Sequence, residues 1–338
     1  MFALSIVLLI TFSFVLTAML RKYALAKSVI DIPNERSSHS LPTPRGGGLA
    51  IVICFLVVLA ALAFLKTFPF QLLSGFFSAG AATALLGFLD DHGHIAARWR
   101  LLGHFSGAAI LLWSLGGLPL LTVFGVEVDL AWFSGLLGII FLVWILNLYN
   151  FMDGIDGIAS VEAMTVCIGG AMLAWLTGNV VGMILPLFLA AAVGGFLLWN
   201  FPPAKIFMGD AGSGFLGLML GGLAIYSAWI EPQLFWCWLI LLGVFIVDAT
   251  LTLLHRLVRG EKVYEAHRSH AYQYASRRFG SHKKVTLMVL AINMLWLLPV
   301  ATLAALNIWD AALLTIIAYS PLVVLALYFN AGKKEVCT

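Results

Sequence analysis

Charge is what this chain has least of. Of its 338 residues only 10% are Asp, Glu, Lys or Arg and 62% are hydrophobic, against about 25% charged in an ordinary soluble domain. That shortage excludes a water-soluble globular core and points to an all-α polytopic membrane protein. Cysteine is also sparse. Cys54, Cys167, Cys237 and Cys337 form no C-x-x-C pair and three of them lie in apolar runs, so they read as packing residues rather than metal ligands or disulfides. No cleavable leader is expected: a basic n-region is missing, and Arg21-Lys22 follows the first apolar run where a small-residue cleavage site would stand. An internal repeat is absent too, and residues 1–338 read as one integral membrane domain.

What is present is a series of apolar runs, each near the roughly 20 residues that cross a bilayer. The expected spans are 2–20, 47–66, 70–89, 101–118, 131–149, 157–176, 181–199, 213–230, 234–254, 286–305 and 311–329, about eleven transmembrane helices. Placing the N-terminus outside puts 18 of the 19 Lys and Arg on one face and leaves only Lys66 on the other, a strong positive-inside bias. The C-terminus then lies inside. Glu127, Asp129, Glu231 and Asp310 fall in outer loops and read as solvated surface acids. Gly194-Gly195 and Gly221-Gly222, within spans, read as close-packing sites.

Every polar cluster falls on the inner face. Asn147 to Gly157 ends the fifth span with two amides, Asn147 and Asn150, two acids, Asp153 and Asp156, and two glycines that let backbone approach a bulky anion. Asp90-Asp91 ends the third span, with His92, His94, Arg98 and Arg100 after it. Consecutive helical residues point about 100° apart, so the two carboxylates serve different directions. Asp210 sits among glycines at the start of the eighth span, where it is either an N-cap or a ligand for a hard cation. The first inner loop carries Arg36, His39, Arg45 and the Gly46-Gly47-Gly48 run, whose backbone N–H groups would favour an anion. The last, 255–285, holds His255, Arg256, Arg259, His267, Arg268, His270, Tyr272, Arg277, Arg278 and His282. Acids for a cation opposite bases for oxygens suit a metal-bridged diphosphate. Some of these basic residues serve only orientation or contact with anionic lipid. Asp248, inside the ninth span, is open between a functional role and a pair with Arg256.

Asp90-Asp91, Asn147 to Gly157, Phe207-Met208-Gly209-Asp210-Ala211-Gly212-Ser213 and the histidine loop, in that order, resemble the polyprenyl-phosphate N-acetylhexosamine-1-phosphate transferases. Tyr149 to Gly157 and Ser269-His270-Ala271-Tyr272-Gln273 look most like the branch that starts O-antigen or capsule chains. The resemblance implies transfer of a sugar-1-phosphate from a UDP-N-acetylhexosamine to undecaprenyl phosphate, releasing UMP, in loops on the cytoplasmic side of a bacterial inner membrane. It also implies Mg2+, with Mn2+ as the alternative ion. Asp210 and Asn147 would sit at the metal, and Asp90 and Asp91 would position or deprotonate the lipid phosphate. Asn150, Asp153, Asp156, Arg98, Arg45, His267, Arg268 and His270 would bind substrate. Membrane lipids are expected partners, nucleic acid is not, and a homodimer is left open. Where relatives often carry further histidines after the one matched by His270, this chain departs from the pattern with Tyr272 and Gln273.

Two other classes fit less well. A CDP-alcohol phosphatidyltransferase needs D-G-x-x-A-R, and Asp153-Gly154 is followed by Ile-Asp-Gly-Ile without Arg. An ion-coupled transporter would place its acids near the bilayer midplane on broken helices in related halves, whereas these cluster at one boundary.

Overall fold

The computed structural model describes residues 2–33, 38–39, 41–93, 95–261 and 267–333. Arg36, His94 and Cys337 lie outside them. The described residues form a helical membrane protein: α1 (Phe2–Ala26), α2 (Leu49–Phe64), α3 (Phe70–His92), α4 (Ala97–Ser114), α5 (Phe133–Met152), α6 (Ile158–Leu176), α7 (Ile184–Asn200), α8 (Asp210–Ile230), α9 (Pro232–Leu241), α10 (Gly243–Val258), α11 (Ala271–Phe279), α12 (His282–Ile292), α13 (Leu298–Ala305) and α14 (Ala311–Tyr328). Two small antiparallel pairs interrupt this pattern in the loops, β1 (Ile30–Asp31) with β2 (Thr43–Pro44) and β3 (Leu121–Val123) with β4 (Val126–Val128).

Each expected span coincides with a helix or a helix pair, but the lengths are uneven. Among the described residues eight helices are long and apolar enough to cross a membrane, or nine if α9 and α10 count as one. α2 has only 16 residues, and α4 opens on Arg98 and Arg100 and carries His104, which lower its hydropathy. The expected span 234–254 is corrected to two helices bent by 70° around Leu242. The bend carries α10 toward α11, whose first backbone amides bond to Asp248. The loop 255–285 is not wholly irregular either, since it contains α11.

The centre of the fold is α8. Its spanning window is 83% buried against 17% for α1, so α8 is surrounded by protein while α1 leaves Leu4, Val7, Leu8 and Met19 facing outward, where lipid tails solvate them at no cost. α8 packs on α3 and α5, and α1 on α7. A Cβ on Gly195 would stand 2.3 Å from the Ile10 carbonyl oxygen, so the small residue expected at that contact is required by it. Cys54, Cys167 and Cys237 are buried free thiols. Asp310 is not merely solvated: it accepts from Leu313 N at 2.9 Å, capping α14, and from Gly125 N at 3.0 Å. Glu162, which nothing in the sequence pattern flags, is buried in α6 and accepts from Asn293 Nδ2 at 2.7 Å. Asn293 opens a π-helical turn before α13, the kind of local unwinding that frees backbone for side-chain partners.

Candidate active site

The ends of α3 and α5 and the starts of α4 and α8 converge. α3 and α8 touch so closely that a Cβ on Gly87 would stand 2.5 Å from Ala211 N, which brings Asp90-Asp91 against the start of α8. There the adjacent acids part company. Asp91, its side chain fully buried, accepts from Asp210 N at 3.1 Å and from Arg45 Nε at 3.0 Å. It is therefore the N-terminal cap of α8, supplied from another helix. Burial opposes the charge of Arg45, but Asp91 outweighs it and the guanidinium is held above its usual value. Asp90 turns the other way, accepting from Ile95 N at 2.9 Å and from Arg100 Nη1 at 2.5 Å.

Because Asp91 caps the helix, the Asp210 carboxylate is released from that task. It accepts from Asn150 Nδ2 at 3.1 Å and lies 3.6 Å from Arg100 Nη1. Asn150 Nδ2 also bonds Ser213 Oγ at 2.8 Å. Two of the three amides in the glycine run before α2 are not open to an anion as expected. Gly47 N and Gly48 N are taken by the Phe207 and Met208 carbonyls at 2.9 and 2.8 Å, and this pairing fixes Arg45 beside Gly209 and Asp210.

The loop after α5 is pinned from three sides. Tyr272 donates to the Phe151 carbonyl at 3.0 Å, and a Cβ on Gly154 would stand 2.1 Å from that hydroxyl. Asn200 accepts from Gly157 N at 3.1 Å and Ser160 Oγ at 3.0 Å and donates to the Ile206 carbonyl. Asp156 accepts from Ala204 N at 3.0 Å and pairs with His282 Nδ1 at 3.2 Å. Burial would raise the Asp156 carboxyl, yet His282 and the Ala204 amide hold it below its ordinary range. Asp153 is the opposite case: burial first, then Asp210, Asp91 and Asp156, push its carboxyl well above the ordinary value. Among the described residues no hydrogen bond or ion pair relieves it.

Two cavities meet here. The first, about 490 Å³, is polar, with His39, Arg45, Asn150, Asp153, Asp156 and Asp210 on its wall. The second, about 390 Å³, lies between α3, α4, α5 and α8. It runs from apolar residues such as Leu86, Leu101 and Leu146 to Asp90, Arg98, Arg100, His104 and Asn147. Asn150 and Asp210 line both.

Asp90, Asn147, Asn150, Asp153, Asp156, Arg98, Arg45 and Asp210 are thus brought to the two cavities, with Asp91 behind them. His267, Arg268 and His270 are not. The His270 ring is buried and faces Asp248 at 3.3 Å, while His267 and Arg268 line a separate hollow. Gln273 reaches the first cavity from that loop instead. His92 folds back on the Phe88 carbonyl at 2.9 Å. Asp248 accepts from Ala271 N and Tyr272 N, both at 2.9 Å, so it caps α11 rather than pairing with Arg256. Sequence reasoning missed Arg100 as the partner of Asp90, and His104 and Asn200 altogether; it named His282 among the basic residues of the last loop but not as the partner of Asp156. His104 is one helical turn beyond Arg100, an i,i+4 spacing that places both on one face, and its buried Nδ1 has no partner among the described residues. Asn200 carries no comparable sequence signal.

Among the described residues no group of three His, Cys, Asp or Glu is set to hold a metal by itself. A hard cation such as Mg2+ commonly takes one or two carboxylates and completes its shell with phosphate and water. Asp210 and the unrelieved Asp153, flanked by amide oxygens of Asn147 and Asn150, fit that pattern of donors.

Residues 73–228 match glycosyl transferase family 4. Over 305 residues the chain is 30% identical to the probable undecaprenyl-phosphate N-acetylglucosaminyl 1-phosphate transferase of Bacillus subtilis, covering 87% of this chain and 83% of that protein. It is 30% identical over 308 residues to the decaprenyl-phosphate N-acetylglucosaminephosphotransferase of Mycobacterium tuberculosis H37Rv, covering 81% and 75%. Against the undecaprenyl-phosphate alpha-N-acetylglucosaminyl 1-phosphate transferase of Thermotoga maritima the identity is 28% over 279 residues, covering 82% and 83%. With three of the four motifs gathered around one carboxylate and relatives matched over most of their length, the chain belongs to glycosyl transferase family 4, among the polyprenyl-phosphate N-acetylhexosamine-1-phosphate transferases.

Proposed function

We propose that this protein transfers an N-acetylhexosamine-1-phosphate from a UDP-sugar to undecaprenyl phosphate, giving the undecaprenyl-diphosphate-sugar and UMP. The observation that carries this reading is the meeting of two unlike cavities at Asp210 and Asn150. The polar cavity suits a sugar nucleotide. The other, apolar along its depth and basic at its end, suits a polyprenyl chain with a terminal phosphate. An oxygen of the acceptor phosphate bonds to the sugar-bearing phosphorus of the donor while the bond to the bridging oxygen breaks, and UMP leaves with that electron pair. A phosphate monoester is an adequate nucleophile near neutrality, so the residues must chiefly bring two anions together and offset their charge.

In this reading Arg100 and Arg98 hold the acceptor phosphate, Asp90 fixes Arg100, and Arg45 faces the donor diphosphate. Asp91 organises the start of α8. Mg2+, or Mn2+, held by Asp210 with Asn147, Asn150 or Asp153, would neutralise the diphosphate oxygens. The basic bias of the loops supports a site on the cytoplasmic face with the N-terminus outside. The motif likeness of Tyr149 to Gly157 extends the reading to the first step of an O-antigen or related envelope polysaccharide. The test is transfer by purified protein with undecaprenyl phosphate and a panel of UDP-N-acetylhexosamines. UMP release dependent on both substrates and on Mg2+ is expected, with Arg100→Gln raising KM for the lipid more than for the nucleotide. No transfer from any UDP-sugar would sink the assignment.

A further inference from the structure

The Asp156–His282 pair stands between two hollows. The first cavity shares Ser38, His39, Asp156, Phe207 and His282 with an adjoining concavity of about 570 Å³. Taking the first cavity as the donor site proposed above, we infer that His282 is a positioning residue for the sugar nucleotide. It ties the first inner loop to the loop after α5, and this tie forms the wall of the cavity against which the donor is bound.

His282 reaches both loops at once. Its Nδ1 lies 3.2 Å from Asp156 Oδ1 and its Nε2 lies 2.9 Å from the Ser38 carbonyl oxygen. A neutral imidazole has a single N–H and can serve only one of these oxygens, so the two contacts together require the imidazolium. The Asp156 amide also approaches Nδ1, at 3.5 Å, but the carboxylate is nearer. Burial opposes charge on the ring, yet Asp156 and the Ser38 carbonyl outweigh it and hold the ring above its ordinary value. The other charged or titratable groups on these two walls are His39 and Asp31 from the first inner loop, Arg45 and Asp210 across the first cavity, Asp153 from the loop after α5, Arg277 from α11 and Lys283 from α12 itself. Lys205 is turned to the Trp199 ring. Among the described residues Asp156 is the one that forms an ion pair with His282.

The tie is not needed to build α12. Ser281 caps that helix, its Oγ accepting from Lys284 N at 3.3 Å. Thr286, one turn after His282, donates to the Asp156 carbonyl at 2.8 Å and so anchors the backbone of the loop. That leaves His282 to act on the Asp156 carboxylate, whose other oxygen accepts from Ala204 N at 3.0 Å. The carboxylate is thereby fixed between α12 and the segment before α8, with Ser38 drawn beside it. His39, next to Ser38, stands edge-on to Phe207 at 4.9 Å on the cavity wall. The side chains of His282 and Asp156 are only 18% and 14% exposed, so the pair borders both hollows in surroundings where a charge-assisted bond is strong.

The experiment measures binding of UDP-N-acetylglucosamine, and of the other UDP-N-acetylhexosamines in the panel, to the purified full chain with Mg2+ and without lipid, from about pH 6 to about pH 9. A group with a raised folded value keeps its tie at low pH and loses it as pH climbs through that value. His282→Ala should therefore bind the donor about tenfold more weakly than wild type near pH 6, and the two Kd values should converge near pH 9. His282→Gln keeps one donor for the Ser38 carbonyl and should lose about threefold near pH 6, which tests the site even if His282→Ala folds poorly. In transfer assays both variants should raise KM for the UDP-sugar and leave KM for undecaprenyl phosphate in place. Wild-type donor affinity in the variants near pH 6, or a deficit that is the same at every pH, overturns the role of His282 and leaves the donor site standing. An equal rise in KM for the lipid overturns it as well. A wild type that binds none of the UDP-N-acetylhexosamines overturns the donor site itself, and the role of His282 with it.

Discussion

Gly154→Ala should damage the protein through one atom, and removing that atom should repair it. The new Cβ would stand 2.1 Å from the Tyr272 hydroxyl and 3.2 Å from its Cζ. Tyr272 cannot swing aside freely, because it is buried, stacked on His270 and bonded to the Phe151 carbonyl. Overpacking of this kind costs roughly 1–3 kcal/mol, and loss of the displaced hydrogen bond adds about 0.5–1.5 kcal/mol. Gly154→Ala should therefore lower stability by about 2–4 kcal/mol, and Tyr272→Phe alone by about 1 kcal/mol. In the double variant the clashing oxygen is gone and the nearest atoms lie at 3.2 Å, so its loss should be smaller than that of Gly154→Ala alone. The resulting coupling is about 1–3 kcal/mol. Thermal unfolding of the four purified proteins measures the cycle, and transfer assays show whether Asp153, held by this loop, regains its place. Additive losses, or a silent Gly154→Ala, would refute the claim that Tyr272 sets the height of the loop.

The acidic pair should separate by phenotype. Asp91→Ala leaves Arg45 uncompensated and α8 uncapped and should cost about 2–4 kcal/mol, whereas Asp90→Asn should fold near normally and lose acceptor use, which unfolding and lipid-dependent kinetics together distinguish. Asp153 has a raised folded-state pKa, so its stability contribution is intact below about pH 4, the unfolded value, and is lost as pH rises through the folded value. Asp153→Asn should accordingly be more stable than wild type at pH 7 with the gap closing toward pH 4, and a pH-independent difference would count against the origin assigned here. Asp210→Asn should abolish transfer at ordinary Mg2+ with partial recovery at raised Mg2+, and near-normal turnover would remove it from the ligand set. Single cysteines at 205 and 283 should be labelled only from the cytoplasm and those at 125 and 178 only from outside; outer labelling at 205 would invert the site.

The helices were legible because lipid leaves the chain few alternatives: apolar runs about 20 residues long must satisfy their own backbone. The motif residues Asp90, Asn147, Asn150, Asp153 and Asp210 were legible because polar groups ending apolar runs need a reason to be there. The bend at Leu242 was not, since hydropathy reads length and cannot see that Asp248 must reach the amides of Ala271 and Tyr272. The histidine loop misled for a related cause. His270 carries the likeness, but its ring is turned to Asp248, and it is Gln273, three residues on, that faces the first cavity. His104 and Asn200 stand alone in sequence, and His282 is one of many basic residues in its loop; only packing shows which partners each has.

Two adjacent aspartates at a helix end can be assigned different directions from sequence, but not different tasks. The 100° between them becomes informative only when the neighbours are known. The residue at the N-cap of α8 is Gly209, which has no side chain to cap it, so the first amides must be satisfied from elsewhere; Asp91 does this and is buried in doing so. The consequence falls on Asp210. As the first residue of α8 it would ordinarily spend its carboxylate on its own helix, and with Asp91 in that role it turns instead to Asn150, Arg100 and both cavities. A structural acid on α3 thus frees an acid on α8 to face the cavities, where the proposed chemistry would use it, and the same contact fixes Arg45 beside it. In the proposed arrangement Asp91 touches neither substrate, and its replacement should nonetheless abolish transfer.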